Sequence, residues 1–550
     1  MAYVWAQSQV MASAAAQVTA IGTAVDAASA AAARSTTGLV SAAADEVSVA
    51  ITSLLDAYAK EGQQAISQVA TLHRQFARSL VTAASAYAGA ESVNVSSLTS
   101  MFSSGSSGLV TLVMDGSGTP IPPADFVANV VARYVSPHFP AGLVQALALP
   151  AGEFPDSGIK DLTSDVSIAR GVTILNNAIQ QQLAAGNAIN IVGYSQSANI
   201  ASLAMQLLDP TGTPSSLPIN FVLLGNSMNP NGGWDARFPG LSLPSLGITT
   251  LGAAPANSFP TLSYTIEYDG WADFPRYPIN IFSDLNALAG MVTVHTTYDS
   301  LTAAQLNSAI VLPTQGATTT TYYMIPTLNL PLLDPLRSIP FVGNPIADLI
   351  QPVLEPIVNW GYGDPNFGWS TGPANVATPF GFLPPLGATA DLGPAILHGI
   401  PQGIAAAAHD LATAGPPQLP SLLDLSPSTG SPGLPAWPQS LSDVLLSLKG
   451  ANTQIVGAAT TAFSTAYATL LPTADLATAA LISLPSYDVN LFLDGLQQAA
   501  NGQPLQGIVN AFGNPIAANV GLLSLTGGLE LTVLAESADS ILTGMPFPSV

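Results

Sequence analysis

Apolar and polar residues follow two different spacings along this chain of 550 residues, and each spacing predicts a different architecture. Over residues 4–90, which contain no proline, apolar side chains recur at helical spacing, with a break at residues 35–38. This pattern predicts two long antiparallel helices. From residue 109 onward, short apolar runs alternate with amphipathic helical stretches. That alternation predicts an α/β domain with a mainly parallel sheet and helices on both faces.

Changes in composition predict where the chain divides. At 550 residues it is too long for one ordinary core, so two or three domains are expected. A Ser/Gly-rich stretch and, later, proline-punctuated segments with a second linker at about 415–439 mark the boundaries. We therefore predict a helical hairpin at 1–92, a linker at 93–108, the α/β domain at 109–372, and a Pro/Ala-rich, partly helical C-terminal extension at 373–550.

Strands and helices alternate within the α/β domain. The pattern predicts strands at 109–114, 143–149, 188–192, 219–225 and 262–268, and helices at 125–134, 164–184 and from 197 onward. Sites on such sheets lie at the carboxyl ends of the strands, so the loops that follow the strands are where chemistry is expected.

A pentapeptide between the third strand and its helix has the form of a nucleophile elbow. Gly193-Tyr-Ser195-Gln-Ser197 is a Gly-x-Ser-x-small sequence on a strand-to-helix turn, so tight that it requires small residues two before and two after the serine. Ser195 would stand at the helix N-terminus, where backbone N–H groups can receive an oxyanion. The alternative is an ordinary turn that contains serines by chance in a serine-rich chain.

A serine nucleophile needs a base and a group that orients it, and in α/β-hydrolases these follow in the order Ser, Asp or Glu, His. His295 follows the last predicted strand–helix unit, whereas His398 and His409 lie in the C-terminal extension. The alternative for His295 is a loop or partly buried histidine. Two carboxylates follow the strand at 262–268: we favour Asp273 as the acid, with Asp269 in reserve and the other carboxylate capping the turn.

Charge and composition exclude several classes of function. The net charge is −22 and only 8% of residues are charged, so no basic stripe exists to bind nucleic acid. Five histidines and no cysteine argue against a zinc site and rule out disulfides, and we expect neither metal nor organic cofactor. The N-terminus lacks the basic and apolar regions of a Sec signal peptide, and no clean apolar run of about 18 residues predicts a transmembrane helix.

The N-terminal stretch resembles the PE domain of mycobacterial PE and PPE proteins. MAYVWAQSQVMASAAAQVTAIGTAVDAAS follows that family's pattern, with Ser8-Gln9 in place of the namesake Pro-Glu. Tyr87 and Glu91 match the family's YxxxD/E export signal and are four apart on one helix face. The resemblance implies type VII secretion and pairing with a PPE-family partner, and a lone hairpin with two apolar faces also needs a partner. The alternative is a bundle that belongs to the next domain.

The α/β domain resembles the PE-PPE domain, a serine α/β-hydrolase domain related to cutinases. The matching pieces are GYSQSA, LLGNSMNPNGGWDARFPG, YDGWADFPRYPINIFSDLNALAG and VHTTY. The resemblance implies a triad of Ser195, Asp273 and His295 and esterase action on acyl esters. It also implies an oxyanion hole formed by the N–H of Gln196 and a second donor from Gly116 or Ser117.

The expected function is therefore an exported, cell-envelope-associated serine esterase or lipase. One alternative is a non-catalytic surface or secretion-linked protein that keeps the hydrolase fold as a scaffold, and another is an acyltransferase on the same triad. A well-formed triad beside an apolar cleft favours an enzyme, whereas a filled cleft or a displaced His295 favours the scaffold. The C-terminal extension could pack on the hydrolase, cover its mouth or associate with envelope lipid, and the sequence leaves all three open.

Overall fold

The computed structural model of the chain divides into two compact units, Met1–Ser106 and Ser107–Val550. It describes residues 108–159, 161–413 and 441–543, together with scattered positions between 18 and 60, which are helical. Most of the predicted hairpin and of the 93–108 linker, the pair Tyr87 and Glu91, and the 415–439 linker lie outside the described residues.

The second unit alternates strands and helices as the sequence predicts, and every element described after β9 is helical. Its strands are β1 (Leu109–Met114), β2 (Leu143–Ala146), β3 (Ala188–Tyr194), β4 (Ile219–Leu224), β5 (Ser242–Leu243), β6 (Ile248–Thr249), β7 (Thr261–Ile266), β8 (Ile310–Val311) and β9 (Thr320–Ile325). Its α-helices are α1 (Ala124–Val130), α2 (Ser164–Ala184), α3 (Gln196–Leu208), α4 (Trp234–Arg237), α5 (Ile281–Thr293), α6 (Ala303–Asn307), α7 (Asp334–Arg337), α8 (Gly343–Trp360), α9 (Leu386–Thr413), α10 (Leu441–Ala468), α11 (Leu470–Thr478), α12 (Leu484–Ala500) and α13 (Pro504–Thr543). The described residues of this unit also contain two π-helical turns (Val131–Val135 and Ala479–Ser483) and two 3₁₀ turns (His295–Ser300 and Pro331–Leu333).

Seven strands form one sheet in the order β2-β1-β3-β4-β7-β9-β8. All neighbouring pairs are parallel except β8 and β9, which are antiparallel at the edge. Because the strands are parallel, their carboxyl ends share one edge: Gly193 on β3 lies opposite Met114 on β1 and Leu223 on β4. The mainly parallel sheet predicted from the sequence is confirmed, and the elbow lies at the edge where parallel sheets hold their sites.

Apolar side chains cover both faces of this sheet, because successive residues on a strand point to opposite sides. On β3, Ile189 and Ile191 pack beneath α2 and α3, while Val192 packs on the other face with Tyr134 and Tyr298. Burial on both faces explains why the strands are apolar runs and do not alternate with polar residues.

The C-terminal helices belong to the same core as the sheet domain. Leu484 of α12 and Leu522 and Leu525 of α13 are buried in one cluster with Leu243 and Leu246 of the sheet domain. This packing answers one question that the sequence left open. The extension lies on the α/β domain, across the boundary predicted at residue 373.

Two helical stretches among the described residues, Lys449–Ala500 and Pro504–Thr543, are long and apolar enough to cross a membrane. By this measure of length and composition, the expectation that the chain has no such helix is not met. The sequence test required a nearly unbroken apolar run, whereas α13 is interrupted by glycine, serine and threonine. The core helices of soluble proteins pass the same test, and α13 buries part of its surface against the sheet domain.

Candidate active site

Ser195 lies between the end of β3 and the first residue of α3, in a strained backbone conformation. Its φ of 56° and ψ of −126° are rare for a residue with a side chain. The strand before Ser195 and the helix after it stabilise this conformation. The N–H of Ser195 donates to the carbonyl of Leu224 at 2.9 Å. The side chain is therefore partly exposed at the carboxyl edge of the sheet, as a nucleophile elbow requires.

The two small residues of the pentapeptide make this turn possible. A Cβ added to Gly193 would lie 2.5 Å from the carbonyl oxygen of Ser197, which no real side chain can tolerate. The Ser197 hydroxyl accepts from the N–H of Tyr194 at 2.9 Å and donates to its carbonyl at 3.0 Å. Ser197 therefore ties the ends of the turn together in a way that glycine could not.

His295 reaches the nucleophile from the 3₁₀ turn that follows α5. Its Nε2 lies 2.8 Å from the Oγ of Ser195, and the residue is 5% exposed. Tyr194 contacts His295 twice. Its ring stacks on the imidazole at 5.3 Å between centroids, and its hydroxyl donates to the His295 carbonyl at 2.8 Å. The structure thus brings together the serine and the histidine that the sequence proposed.

Asp269 is the carboxylate that contacts the imidazole. Both of its oxygens lie 2.8 Å from Nδ1 of His295. The N–H of Trp271 donates to Oδ1 at 3.1 Å, and the hydroxyl of Tyr298 donates to Oδ2 at 2.7 Å. A carboxylate at Nδ1 requires a proton there, so Nε2 is left to accept the proton of the Ser195 hydroxyl.

Asp273, the acid favoured from the sequence, does not contact His295. The turn folds back after Asp269, with the N–H of Asp273 donating to the Asp269 carbonyl at 2.6 Å. The Asp273 side chain instead accepts from the N–H of Tyr268 at 3.2 Å and is fully buried. Burial raises its pKa, while the charge of buried Arg237 acts in the opposite direction. The expectation that Asp273 adjoins the imidazole is therefore wrong, and the reserve residue occupies that position.

Of the proposed oxyanion donors, Gln196 follows Ser195 in the chain and Gly116 lies beside it, but they are not equivalent. The Gln196 side chain is held by Ser167 and by the Gly152 carbonyl, at 2.9 and 2.8 Å. Its N–H belongs to the first residue of α3, where a helix supplies no internal partner. A Cβ on Gly116 would lie 3.0 Å from the Cβ of Ser195. The N–H of Gly116, however, donates to the carboxylate of its neighbour Asp115 at 2.7 Å.

Ser117, the other candidate donor, is paired with an acid that the sequence analysis did not single out. Its hydroxyl donates to the carboxylate of Glu153. Burial raises the pKa of Glu153 to about 7, with further repulsion from Asp156, while Ser117 and the facing His295 act to lower it. No pattern around Glu153 marks it in the sequence, because it lies in a loop between β2 and α2.

Two other supporting residues could not be recognised from one sequence, although both lie in stretches that carry the family resemblance. Tyr298 supports Asp269 as described, and its hydroxyl also accepts from the N–H of Ile266 at 3.0 Å. Gly225, with a φ of +59°, lies against the imidazole of His295.

A cavity of about 60 Å³ opens beside Ser195. Polar residues that line it together with Ser195 include Gln196, Asn199 and Ser227. Its larger part is apolar, and the side chains that line it include Leu243, Leu246, Trp271, Leu522 and Leu525. Elsewhere in the described parts of the chain, no group of three or more acidic or histidine side chains is arranged to hold a metal ion.

Comparisons with known proteins agree with this architecture. The sequence-family model of the PE family matches residues 4–94, and that of the PE-PPE domain matches residues 140–363. The chain is 49% identical over 435 residues to the uncharacterized PPE family protein PPE28 of Mycobacterium tuberculosis, covering 78% of this chain and 66% of that protein. It is 43% identical over 408 residues to esterase PE16 of the same organism, covering 72% of this chain and 76% of PE16. The diacyltrehalose acyltransferase Chp2, also from M. tuberculosis, is 29% identical over 254 residues, covering 43% of this chain and 67% of Chp2.

Proposed function

Because the chain belongs to the PE family and carries a PE-PPE domain, we propose that it is a serine esterase that hydrolyses acyl esters through Ser195, His295 and Asp269. The observation that carries the proposal is the unbroken hydrogen-bonded chain Ser195–His295–Asp269, each contact 2.8 Å long. The relative PE16, which bears the name esterase, supports the same reaction class. An open apolar cavity beside an undisplaced His295 favours this reading over a non-catalytic scaffold.

The geometry is suited to two-step acyl transfer. Oγ of Ser195 attacks the ester carbonyl carbon while its proton moves to Nε2 of His295, and Asp269 stabilises the resulting imidazolium. The carbonyl oxygen becomes an oxyanion held by the N–H groups of Gln196 and Ser117, since that of Gly116 is already engaged. The C–O bond to the alcohol then breaks, and the alcohol leaves with the proton from His295. Water attacks the acyl-serine by the same route and releases the acid.

Hydrolysis of p-nitrophenyl esters of graded acyl length tests this function. We expect Ser195→Ala to abolish turnover and to remove labelling by a fluorophosphonate probe, whereas Ser308→Ala, on the exposed surface beyond α6, leaves both unchanged. If the intact chain neither turns over any ester nor reacts with the probe, the esterase proposal fails and the scaffold function is favoured.

A second candidate, acyl transfer to an alcohol, is supported by the similarity to the acyltransferase Chp2. The same residues serve both reactions, because the acyl-serine is attacked by an alcohol in place of water. Mass spectrometry of products formed with and without trehalose as acceptor separates the two. Acylated trehalose that depends on Ser195 would favour the transferase, and free acid alone would favour the hydrolase.

We also propose that the chain is exported by type VII secretion and pairs with a PPE-family protein through its N-terminal region. PE family membership supports both statements. The residues concerned, including Tyr87 and Glu91, lie outside the described residues, so the test is cellular. Tyr87→Ala should retain the protein in the cytosol of a mycobacterial host, while Tyr467→Ala, an exposed tyrosine on α10, should not. Export of both variants would contradict the proposed signal.

A further inference from the structure

The C-terminal helices supply part of the lining of the cavity at Ser195. Leu484 of α12 and Leu522, Leu525 and Leu529 of α13 line it. The three leucines of α13 are spaced by three and four residues, so they lie on one face of the helix. All four residues follow position 363, where the match to the PE-PPE domain ends.

The sheet domain supplies other residues of the cavity lining. Leu243, Leu246 and Trp271 line it together with the leucines of α13 and with Ser195. The carboxylate of Asp235, which also lines the cavity, is already engaged: it accepts from Ser227 at 2.6 Å and from the N–H of Leu251 at 2.8 Å. The apolar lining is therefore formed by aliphatic and aromatic side chains from two parts of the chain.

Close packing fixes α13 in this position. A Cβ on Gly521 would lie 2.8 Å from the Cβ of Pro278, so the helix approaches the sheet domain as closely as a glycine permits. The Tyr487 hydroxyl of α12 donates to the carbonyl of Pro239 at 3.3 Å. Leu522 and Leu525 are 2% and 5% exposed. A wall that is this well buried has a definite shape, which is what selection of a substrate by length requires.

We propose that these leucines form the acyl-binding wall of the esterase, and that the C-terminal helices therefore determine which acyl lengths it accepts. The acyl chain of the ester bound at Ser195 lies between α13 and Trp271. The inference rests on the proposed function and adds a specificity-determining segment to it. One water-sized group needs roughly 10–15 Å³ of such volume, so a cavity of about 60 Å³ holds an acyl chain of roughly four to six non-hydrogen atoms.

Two opposite substitutions at one position test the wall. Leu525→Ala enlarges the cavity and Leu525→Phe fills it. Leu529→Ala also enlarges the cavity, and Leu529 is only partly buried. Leu531→Ala is the matched control, because Leu531 is on the same helix and 70% exposed. For each protein, kcat and KM are measured on p-nitrophenyl esters from acetate to laurate, and Ser195 labelling is followed with fluorophosphonates of short and long alkyl chain.

We expect Leu525→Ala to raise kcat/KM for an ester two to three carbons longer than the best wild-type substrate, relative to that substrate, by at least about tenfold. Leu525→Phe should shift the preference toward shorter chains, and Leu531→Ala should leave it unchanged. General destabilisation cannot move the length preference in opposite directions. If Leu525→Ala does not fold, Leu529→Ala carries the test.

The two ways to fail are distinguishable. If Ser195 labels and turns over normally but every variant keeps the wild-type length profile, the acyl wall is overturned and the esterase proposal stands. If the wild-type chain shows neither turnover nor labelling, the proposed function fails, and the inference fails with it.

Discussion

Gly225 lies directly against the imidazole of His295: a Cβ built on this glycine would be 2.8 Å from Cε1 of the ring and 3.0 Å from the ring of Tyr298. The glycine follows the last residue of β4 and has a φ of +59°. The position of His295 thus depends on the absence of a side chain just after the strand that neighbours the elbow strand.

Gly225→Ala should displace His295 from Ser195. Because a shift of about 1 Å in a reacting group can reduce the rate about 100-fold, we expect kcat on the best p-nitrophenyl ester to fall by about that factor. Gly212→Ala is the control, since Gly212 also has a positive φ (+66°) but has no atom within 4 Å of the added Cβ. Gly212→Ala therefore measures the effect on kcat of backbone strain alone, without a contact between the added Cβ and another side chain. Equal losses in the two variants would show that strain alone is responsible.

Amide substitution at the two carboxylates of the acid turn, Asp269 and Asp273, should lower kcat to very different extents. Asp269→Asn should lower kcat by about 10³- to 10⁴-fold, because an amide at Nδ1 no longer holds the required tautomer of His295. Asp273→Asn should leave kcat within about tenfold, because Asp273 does not contact the imidazole and an asparagine oxygen can still accept from Tyr268. The measurement is kcat on one ester for both variants. The reverse order would restore the acid favoured from the sequence.

Removing the Tyr298 hydroxyl should weaken both the fold and the site. Tyr298→Phe leaves the buried N–H of Ile266 without its acceptor and takes one donor from Asp269. An unsatisfied buried N–H costs about 1–3 kcal/mol in unfolding free energy, and we expect kcat to fall up to about tenfold from the loosened carboxylate. Thermal unfolding and kcat are measured together. Tyr323→Phe on β9, whose ring stacks on that of Tyr264, is the control, and a loss as large there would contradict the assigned contacts.

Glu153 should make stability depend on pH. Its pKa rises from an ordinary 4.5 to about 7 on folding, chiefly by burial. Between these values the folded protein holds a proton that the unfolded chain has released, so stability is greatest below about pH 4.5 and decreases as pH rises toward 7. Glu153→Gln, whose amide oxygen still accepts from Ser117, removes this contribution, which is of the order of 1–3 kcal/mol.

The comparison requires the two proteins at two pH values. Thermal midpoints at pH 5 and pH 7.5 should differ more in the wild type than in Glu153→Gln. Asp115 and Asp235, whose pKa values are raised to about 6, contribute to the slope in both proteins, so only the difference between the two slopes is informative. Equal slopes would mean that Glu153 titrates normally.

Residues with strong local requirements were recognisable from the sequence. Gly193 and Ser197 flank the nucleophile at fixed spacing, since the elbow admits no larger residue at the first position, and strand and helix propensities marked both sides of the turn. The choice between Asp269 and Asp273 depends instead on the path of the turn. Tyr268 adopts a positive φ of 66°, unusual for a tyrosine, and this conformation is set by packing that composition does not reveal.

Long-range contacts account for what the sequence missed in the fold. The main strands of the sheet were predicted to within a few residues because each is a compact apolar run, but β9 and its antiparallel neighbour β8 were not identified. The apolar spacing of the C-terminal region predicted helices, yet a leucine on a helix does not reveal its partner. The buried cluster that contains Leu522, Leu525 and Leu243 joins positions nearly 300 residues apart in the chain.

Because α13 shares a core with the sheet domain, the reaction and the choice of acyl length are proposed to depend on different parts of the sequence. The residues that we propose break the ester bond, from Ser195 to His295, lie within the PE-PPE match, while leucines that line the cavity are encoded some 200 residues later. On the two proposals made above, exchange of the C-terminal helices between chains of this kind is expected to transfer the acyl-length preference and to leave the reaction itself unchanged. A library of such chimaeras, sharing one hydrolase and differing only after residue 440, is a direct route to esterases of new chain-length preference.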